Sequence, residues 1–163
     1  MSKHPAISAG VLVWRRVAGT LEVLIVHPGG PFFANKDAGG WSIPKGECEP
    51  SGDRPIDEEV LRETALRELT EETGLAPETP MVALGRVKQK SGKVVHAFAM
   101  EADGELPVGH RPPQIRLEFP RGSMREIAFP EVDQARFVAI AVAREKLNVA
   151  QVELLDRLIA SVG

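Results

Sequence analysis

Cysteine is nearly absent from the chain: Cys48 stands alone among 163 residues. A single thiol cannot close an internal disulfide or build a cysteine-type zinc site, and it suits a reducing compartment. Positive charge is not in excess either. Lys and Arg number 20 against 23 Asp and Glu, a net charge of −3, so no global basic field points to nucleic acid. No apolar run approaches the ~18 residues of a membrane span. The opening MSKHPAISAG lacks an apolar core of signal-peptide length. The glycine-rich HPGGPFF could form a phosphate-accepting nest, but it lacks the Gly-Lys-Ser/Thr ending of a P-loop. A turn-rich loop over a site is the plainer reading. Hydrophobic residues make up 43% and charged residues 26%, values of a soluble globular protein. One cytoplasmic, enzyme-sized domain over residues 1–163 is the expectation, with no nucleic-acid or membrane partner.

What is present falls into elements. AISAGVLVW (6–14) and LEVLIV (21–26) read as a strand pair about the turn VAGT, the second strand buried on both faces. WSIP (41–44) reads as a short strand ended by Pro44, and KGECEPSGDRP as loop. From Ile56 to Thr73 nothing breaks a helix, and Gly74 follows as its C-cap. MVALGRVKQK and KVVHAFAM flank Ser91-Gly92 as a hairpin, and IRLEF (115–119) and ARFVAI (135–140) are further strands. VAREKL and AQVELLDRLIAS close the chain as helices, the second with an apolar face of Leu154, Leu155, Leu158 and Ile159. The proline-rich stretch 102–130 is either a long functional loop or a set of short edge strands. The order predicts an α+β chain, an α/β/α sandwich with a mixed sheet between helices.

The stretch RELTEETGL (67–75) carries the chemistry. At ~100° per residue, Glu68 and Glu72 lie ~40° apart on the helix and Glu71 ~60° to their other side, so all three project to one side. Leu61, Ala65, Leu66 and Leu69 sit about a quarter-turn away and can dock on the sheet. Like charges at this spacing repel, and carboxylates near a helix C-terminus face the wrong pole of its dipole. Arg67 can pin the row, with Glu63 and Glu59 one and two turns back. A divalent cation would resolve the repulsion, and oxygen ligands suit Mg²⁺ or Mn²⁺. A solvated acidic face is the commoner meaning of such a run.

The same segment resembles the Nudix box, G-x5-E-x7-R-E-U-x-E-E-x-G-U, with U a bulky aliphatic residue. Glu59, seven spacers, then Arg67, Glu68, Leu69, Glu71, Glu72, Gly74 and Leu75 match its second half, and WSIPKGE is similar to the strand and glycine loop that lead into it. Twelve residues separate Gly46 from Glu59 where the pattern has five, so a seven-residue insertion after Gly46 is the simplest account of a box spanning 46–75. The resemblance implies a Nudix fold and metal-dependent hydrolysis of a pyrophosphate bond in a nucleoside diphosphate linked to another moiety. It implies Glu68 and Glu72 as principal metal ligands, Glu71 as helper ligand or water-positioning group, and Arg67 as a structural and catalytic arginine partnered by Glu59. The Gly46 carbonyl is an additional expected ligand and Gly74 the structural end of the box. One more glutamate is expected from a loop before a strand led by an aromatic residue. FPEVDQARFVAI has that shape, so Glu131 is the choice, with Glu126 and Glu118 in reserve and Asp133 weaker.

Other residues carry less. Lys45 could meet a substrate phosphate or be an exposed loop lysine. Arg86, Lys88 and Lys90 make one strand face basic, more simply a solvated face than a polyphosphate contact. His27, His96 and His110 lack metal-ligand spacing. Phe32 and Phe33 could stack on a base, while Trp41 reads as core. The chain has no tyrosine, so the tyrosine that marks one large group of dinucleoside polyphosphate hydrolases is missing. The proline expected after the box in many ADP-ribose pyrophosphatases is not evident. The whole chain is similar to small bacterial nucleoside-triphosphate pyrophosphohydrolases, which favours a nucleoside triphosphate or dinucleoside polyphosphate. A nucleotide sugar or ADP-ribose is the alternative, as is a non-catalytic nucleotide-binding module of the same fold.

Overall fold

Two strands rich in β-branched residues, β1 (Ile7–Val17) and β2 (Thr20–Pro28), fold back through Ala18-Gly19, where φ reaches 50° and 83°. In this computed structural model, which describes residues 6–49, 54–76 and 80–163, they form the middle of a mixed sheet. β4 (Val82–Lys88) and β5 (Val94–Glu101) are the expected hairpin, and β5 runs parallel to β1. β8 (Val132–Ala139) pairs antiparallel with β2, giving the order β4-β5-β1-β2-β8.

The side-chain alternation of β1 feeds two cores. Ala9, Val11 and Val13 face α1 (Glu58–Thr73), packing with Leu61, Ala65 and Leu69. Leu12 faces the other way and packs with Trp41, Ile43 and the helix α3 (Val152–Val162). β2 alternates likewise, and Val23 through Val26 are all at most 3% exposed, as expected for a strand buried on both faces. α2 (Ile140–Lys146) and a single 3₁₀ turn (Val149–Gln151) join β8 to α3. The architecture is therefore the predicted α/β/α sandwich. No helix among the described residues is long and apolar enough to cross a membrane.

Three local expectations need correction. WSIP is not a strand. Trp41 and Ser42 make isolated bridges to Leu147 and Val26, and the strand β3 is Lys45–Glu47, which pairs with Ser8–Gly10 of β1. Pro44 has no N–H to give a ladder, so continuous pairing begins after it. In α3, Leu154, Leu155 and Leu158 are fully buried but Ile159 is 38% exposed at the rim of the apolar face. Leu66 of α1 is half-buried and stands outside the core that Leu61, Ala65 and Leu69 join. Of the two readings of 102–130, short strands hold: β6 (Gln114–Glu118) and β7 (Glu126–Pro130) form a second, two-stranded sheet. The register Ile115↔Phe129 and Leu117↔Ile127 puts these four apolar side chains on one face.

Candidate active site

Helix α1 starts where Asp57 caps it, the side chain accepting from the Val60 N–H at 2.9 Å. It ends at Gly74, which takes φ 80° and returns its N–H to the Thr70 carbonyl at 2.8 Å. His110 Nε2 donates to the Glu71 carbonyl at 2.7 Å. That donor satisfies an otherwise free carbonyl at the end where the carboxylates crowd.

Glu68 and Glu72 leave α1 toward the β3 edge and are 9% and 5% exposed. Glu71 beside them is exposed. Gly46 lies so close to Glu68 that a methyl group there would overlap its carboxyl. The next residue back, Lys45, donates its backbone N–H to Glu72 Oε2 at 3.2 Å. Glu131 comes from the junction of β7 and β8, and one oxygen each of Glu68, Glu72 and Glu131 lies within 4.8 Å of the others. Its backbone is fixed on both sides. The Glu131 N–H donates to the Pro113 carbonyl at 2.8 Å, and its carbonyl accepts from the Gly29 N–H at 3.0 Å. The expected free loop is thus a pinned strand junction. The reserve residues are engaged elsewhere: Asp133 with His27 at 2.8 Å, Glu126 with Arg116 at 3.4 Å, and Glu118 with the Gly122 N–H.

The electrostatics favour a counter-charge at the carboxylates. Burial, with Glu131 and Glu68 alongside, pushes the Glu72 carboxyl from 4.5 up to about 9. Burial also raises Glu68, with Glu71 and Glu131 adding to it and Arg67 opposing, and raises Glu131, with Glu71 adding. Three carboxylate oxygens gathered in a desolvated corner form an oxygen donor set suited to a hard divalent cation, and the close seat of Glu68 on Gly46 keeps that set together. Between 4.5 and about 9 the folded, metal-free chain holds a proton on Glu72 that the unfolded chain has lost. Stability of the metal-free protein should therefore fall as pH rises through that window. Melting curves in chelator across the window check this, and a melting temperature that rises with pH would contradict it.

Arg67 is not where the sequence places it. Its guanidinium lies 3.6 Å from Glu68 and is 52% exposed. Glu59 and Glu63 are instead met by Arg54, at 3.8 and 3.1 Å, from the segment before the helix. Eight residues of helix put Glu59 about 12 Å from Arg67 along the axis, whereas Arg54 enters beside the first turns. Arg67 therefore bears on the carboxylate cluster rather than on the early helix.

Gly46, Arg67, Glu68, Glu71, Glu72 and Glu131 line a cavity of about 770 Å³. One wall is apolar: Ile115, Leu117 and Phe129 from the β6–β7 hairpin, facing Phe32 and Phe33 of the loop after β2. Phe32 meets Phe119 edge-to-face at 5.7 Å. The loop is tied down by His27, which bonds Asp133 through Nδ1 and the Lys36 carbonyl through Nε2, each at 2.8 Å. Trp41 is 1% exposed and belongs to the core. Lys45 lines the cavity together with Lys93 and Ser8, neither of which the sequence reading singled out. Arg86, Lys88 and Lys90 do not line it. Ser8 was hidden in an apolar strand, and Lys93 follows the Ser91-Gly92 turn. Only the pairing of Ile7–Trp14 with Val94–Glu101 brings them together.

A mixed sheet between helices, with a glutamate helix packed on β1 and β3, defines the class. The chain belongs to the NUDIX domain family, whose sequence pattern matches residues 4–158. Solved structures agree at low identity. The C. elegans Ap4A hydrolase, solved as a binary complex, is 17% identical with TM-score 0.64, covering 95% of this chain and 97% of that one. The NUDIX domain of Shewanella oneidensis NrtR, complexed with ADP ribose, is 18% identical with TM-score 0.65 and coverages of 99% and 91%. The MutT protein of Methanosarcina mazei Go1 is 18% identical with TM-score 0.59 and coverages of 99% and 97%. No curated protein matches the sequence.

Proposed function

We propose that this Nudix hydrolase cleaves a pyrophosphate bond in a nucleoside triphosphate or a dinucleoside polyphosphate, in a reducing, cytoplasmic setting. The observation that carries the reading is the meeting of Glu131 with Glu68 and Glu72 within 4.8 Å at the cavity. Those three carboxylates would hold Mg²⁺ or Mn²⁺, with the Gly46 carbonyl as an added ligand. The ion held there would supply neutralisation of phosphate charge and a more acidic bound water. The exposed Glu71, next in line on the helix, would orient the attacking water. Arg67, 3.6 Å from Glu68, would steady that carboxylate and meet charge developing on phosphate oxygens. The apolar wall of Phe32, Phe33 and Phe129 would receive a nucleobase by stacking, which leaves the polyphosphate at the carboxylates. ADP-ribose or a nucleotide sugar is the second reading, favoured by the ADP-ribose complex of the NrtR domain. Retention of Glu68, Glu71 and Glu72 together supports an enzyme over a passive binding module.

A chromatographic screen of nucleoside triphosphates, dinucleoside polyphosphates, ADP-ribose and nucleotide sugars with Mg²⁺ tests this. Cleavage of the first two groups, abolished by chelator, is expected. Binding without turnover of any compound would point to a sensor. A sharper test uses Glu131→Gln, expected to lower kcat at least about tenfold with KM little changed, because a group at the reacting centre acts mainly in the transition state. Glu126→Gln, whose carboxylate sits with Arg116, should be near wild type. The opposite ranking would remove Glu131 from the site.

A further inference from the structure

Beyond the carboxylates the cavity has a basic corner that the metal-site reading does not use. Ser8 lies on β1, paired with Glu47 of β3 on one side and Val95 of β5 on the other. It is 0% exposed, and its hydroxyl is the one buried side-chain polar atom without a hydrogen-bond partner among the described residues. A buried hydroxyl left unpaired costs stability, so a partner supplied from the cavity is a natural explanation. Lys45 and Lys93 line the same corner. Lys45 pairs with Gly10, two residues along β1 from Ser8 and on the same face, and Lys93 directly precedes β5, whose Val95 pairs with Ser8. Glu47 offsets Lys93 only loosely, at 3.8 Å with its side chain 55% exposed, and it can turn to water. Two ammonium groups and a free hydroxyl converging on one pocket suit a compact anion with several acceptor oxygens.

We propose that Ser8, Lys45 and Lys93 form a phosphoryl subsite next to the carboxylate cluster. It would take a phosphate beyond the pair whose bridge is cut, so that substrates with three or more consecutive phosphates are favoured over diphosphates capped by a sugar. The inference rests on the pyrophosphohydrolase reading above and adds the residues that would select for polyphosphate substrates. Lys45 donates its backbone N–H to Glu72 and so links the two halves. Ser8 and Lys93 set the length of the phosphate chain. Glu47 is a competitor of the incoming anion for Lys93.

The experiment compares kcat/KM for a nucleoside triphosphate and a nucleotide sugar of the same base, at fixed Mg²⁺, in wild type, Lys93→Gln, Ser8→Ala and Glu47→Gln. Wild type should prefer the triphosphate. Lys93→Gln should lower kcat/KM for the triphosphate by about tenfold, the size of a lost charge-assisted contact, and for the sugar by less than about twofold. Ser8→Ala should lower the triphosphate value in the same sense while leaving the melting temperature unchanged or higher, since it removes an unsatisfied group. Glu47→Gln should raise it. Equal losses on both substrates, or none, would overturn the subsite even with the hydrolase intact, as would a wild-type preference for the sugar. Turnover of neither substrate would fail the hydrolase reading instead. Calorimetric binding of the triphosphate to wild type and Lys93→Gln would then judge the subsite separately, with equal affinity counting against it.

Discussion

Glu72→Gln should lower kcat by about 100-fold or more, the loss expected when a metal ligand leaves a reacting centre, and at the same time raise the melting temperature of the metal-free protein. The two effects have one cause. Glu72 is 5% exposed and surrounded by carboxylates, and its ionised form is disfavoured until the carboxyl titrates at about 9. The amide keeps the shape and abolishes the charge, so the fold without metal gains while the site fails. The Lys45 N–H that now donates to Glu72 Oε2 at 3.2 Å keeps an amide oxygen as its acceptor. Added Mg²⁺ should raise the wild-type melting temperature and leave that of Glu72→Gln nearly unmoved, because only a state that binds the ligand is stabilised by it. A variant with near wild-type kcat would sink the assignment of Glu72, and a metal-free melting temperature below wild type would show that the charge is compensated by something other than a cation.

Gly46→Ala should be comparably damaging to activity although it changes no charged residue. A methyl group at position 46 would overlap the Glu68 carboxyl. The backbone there is held in the β3–β1 ladder, with Ala9 opposite Gly46, so it cannot retreat. The long Glu68 side chain must yield instead, and its oxygens leave the corner shared with Glu72 and Glu131. A displacement of this kind at a catalytic group costs about 100-fold. Circular dichroism should be unchanged, since the strand accepts alanine, while kcat falls and more Mg²⁺ is needed for half-maximal rate. Wild-type activity in Gly46→Ala would mean that the Glu68 position seen here is not the working one.

How much of this the sequence discloses depends on the range of the interaction. Helix α1 is legible because its signals are local: Asp57 as cap, an unbroken run, Gly74 as stop, and Glu68 and Glu72 one turn apart. Both sheet faces follow from the alternation of β1 and β2. Glu131 is also legible, but as a guess from the shape of FPEVDQARF. What fixes it is non-local, the Pro113 and Gly29 contacts to its backbone. Arg67 is misread for the same reason. Glu63 is a turn away from Arg67 in sequence, yet Arg54 outcompetes it with a two-pronged contact at 3.1 and 3.2 Å. β3 is missed because its three residues carry no β-branched side chain and are held by β1 alone. The insertion after Gly46 includes residues 50–53, which lie outside the described residues. Ser8 and Lys93 could not be paired at all without the parallel β1–β5 register.

The central claim is that Glu68, Glu72 and Glu131 together hold a divalent cation at the cavity. Its most direct test is calorimetric titration of the chelator-stripped protein with Mn²⁺, for wild type, Glu72→Gln and Glu131→Gln side by side. Saturable binding by wild type, weakened about tenfold or more in both variants as expected for loss of one ligand from a small oxygen set, is the expected result. Equal Mn²⁺ affinity in all three proteins would contradict it.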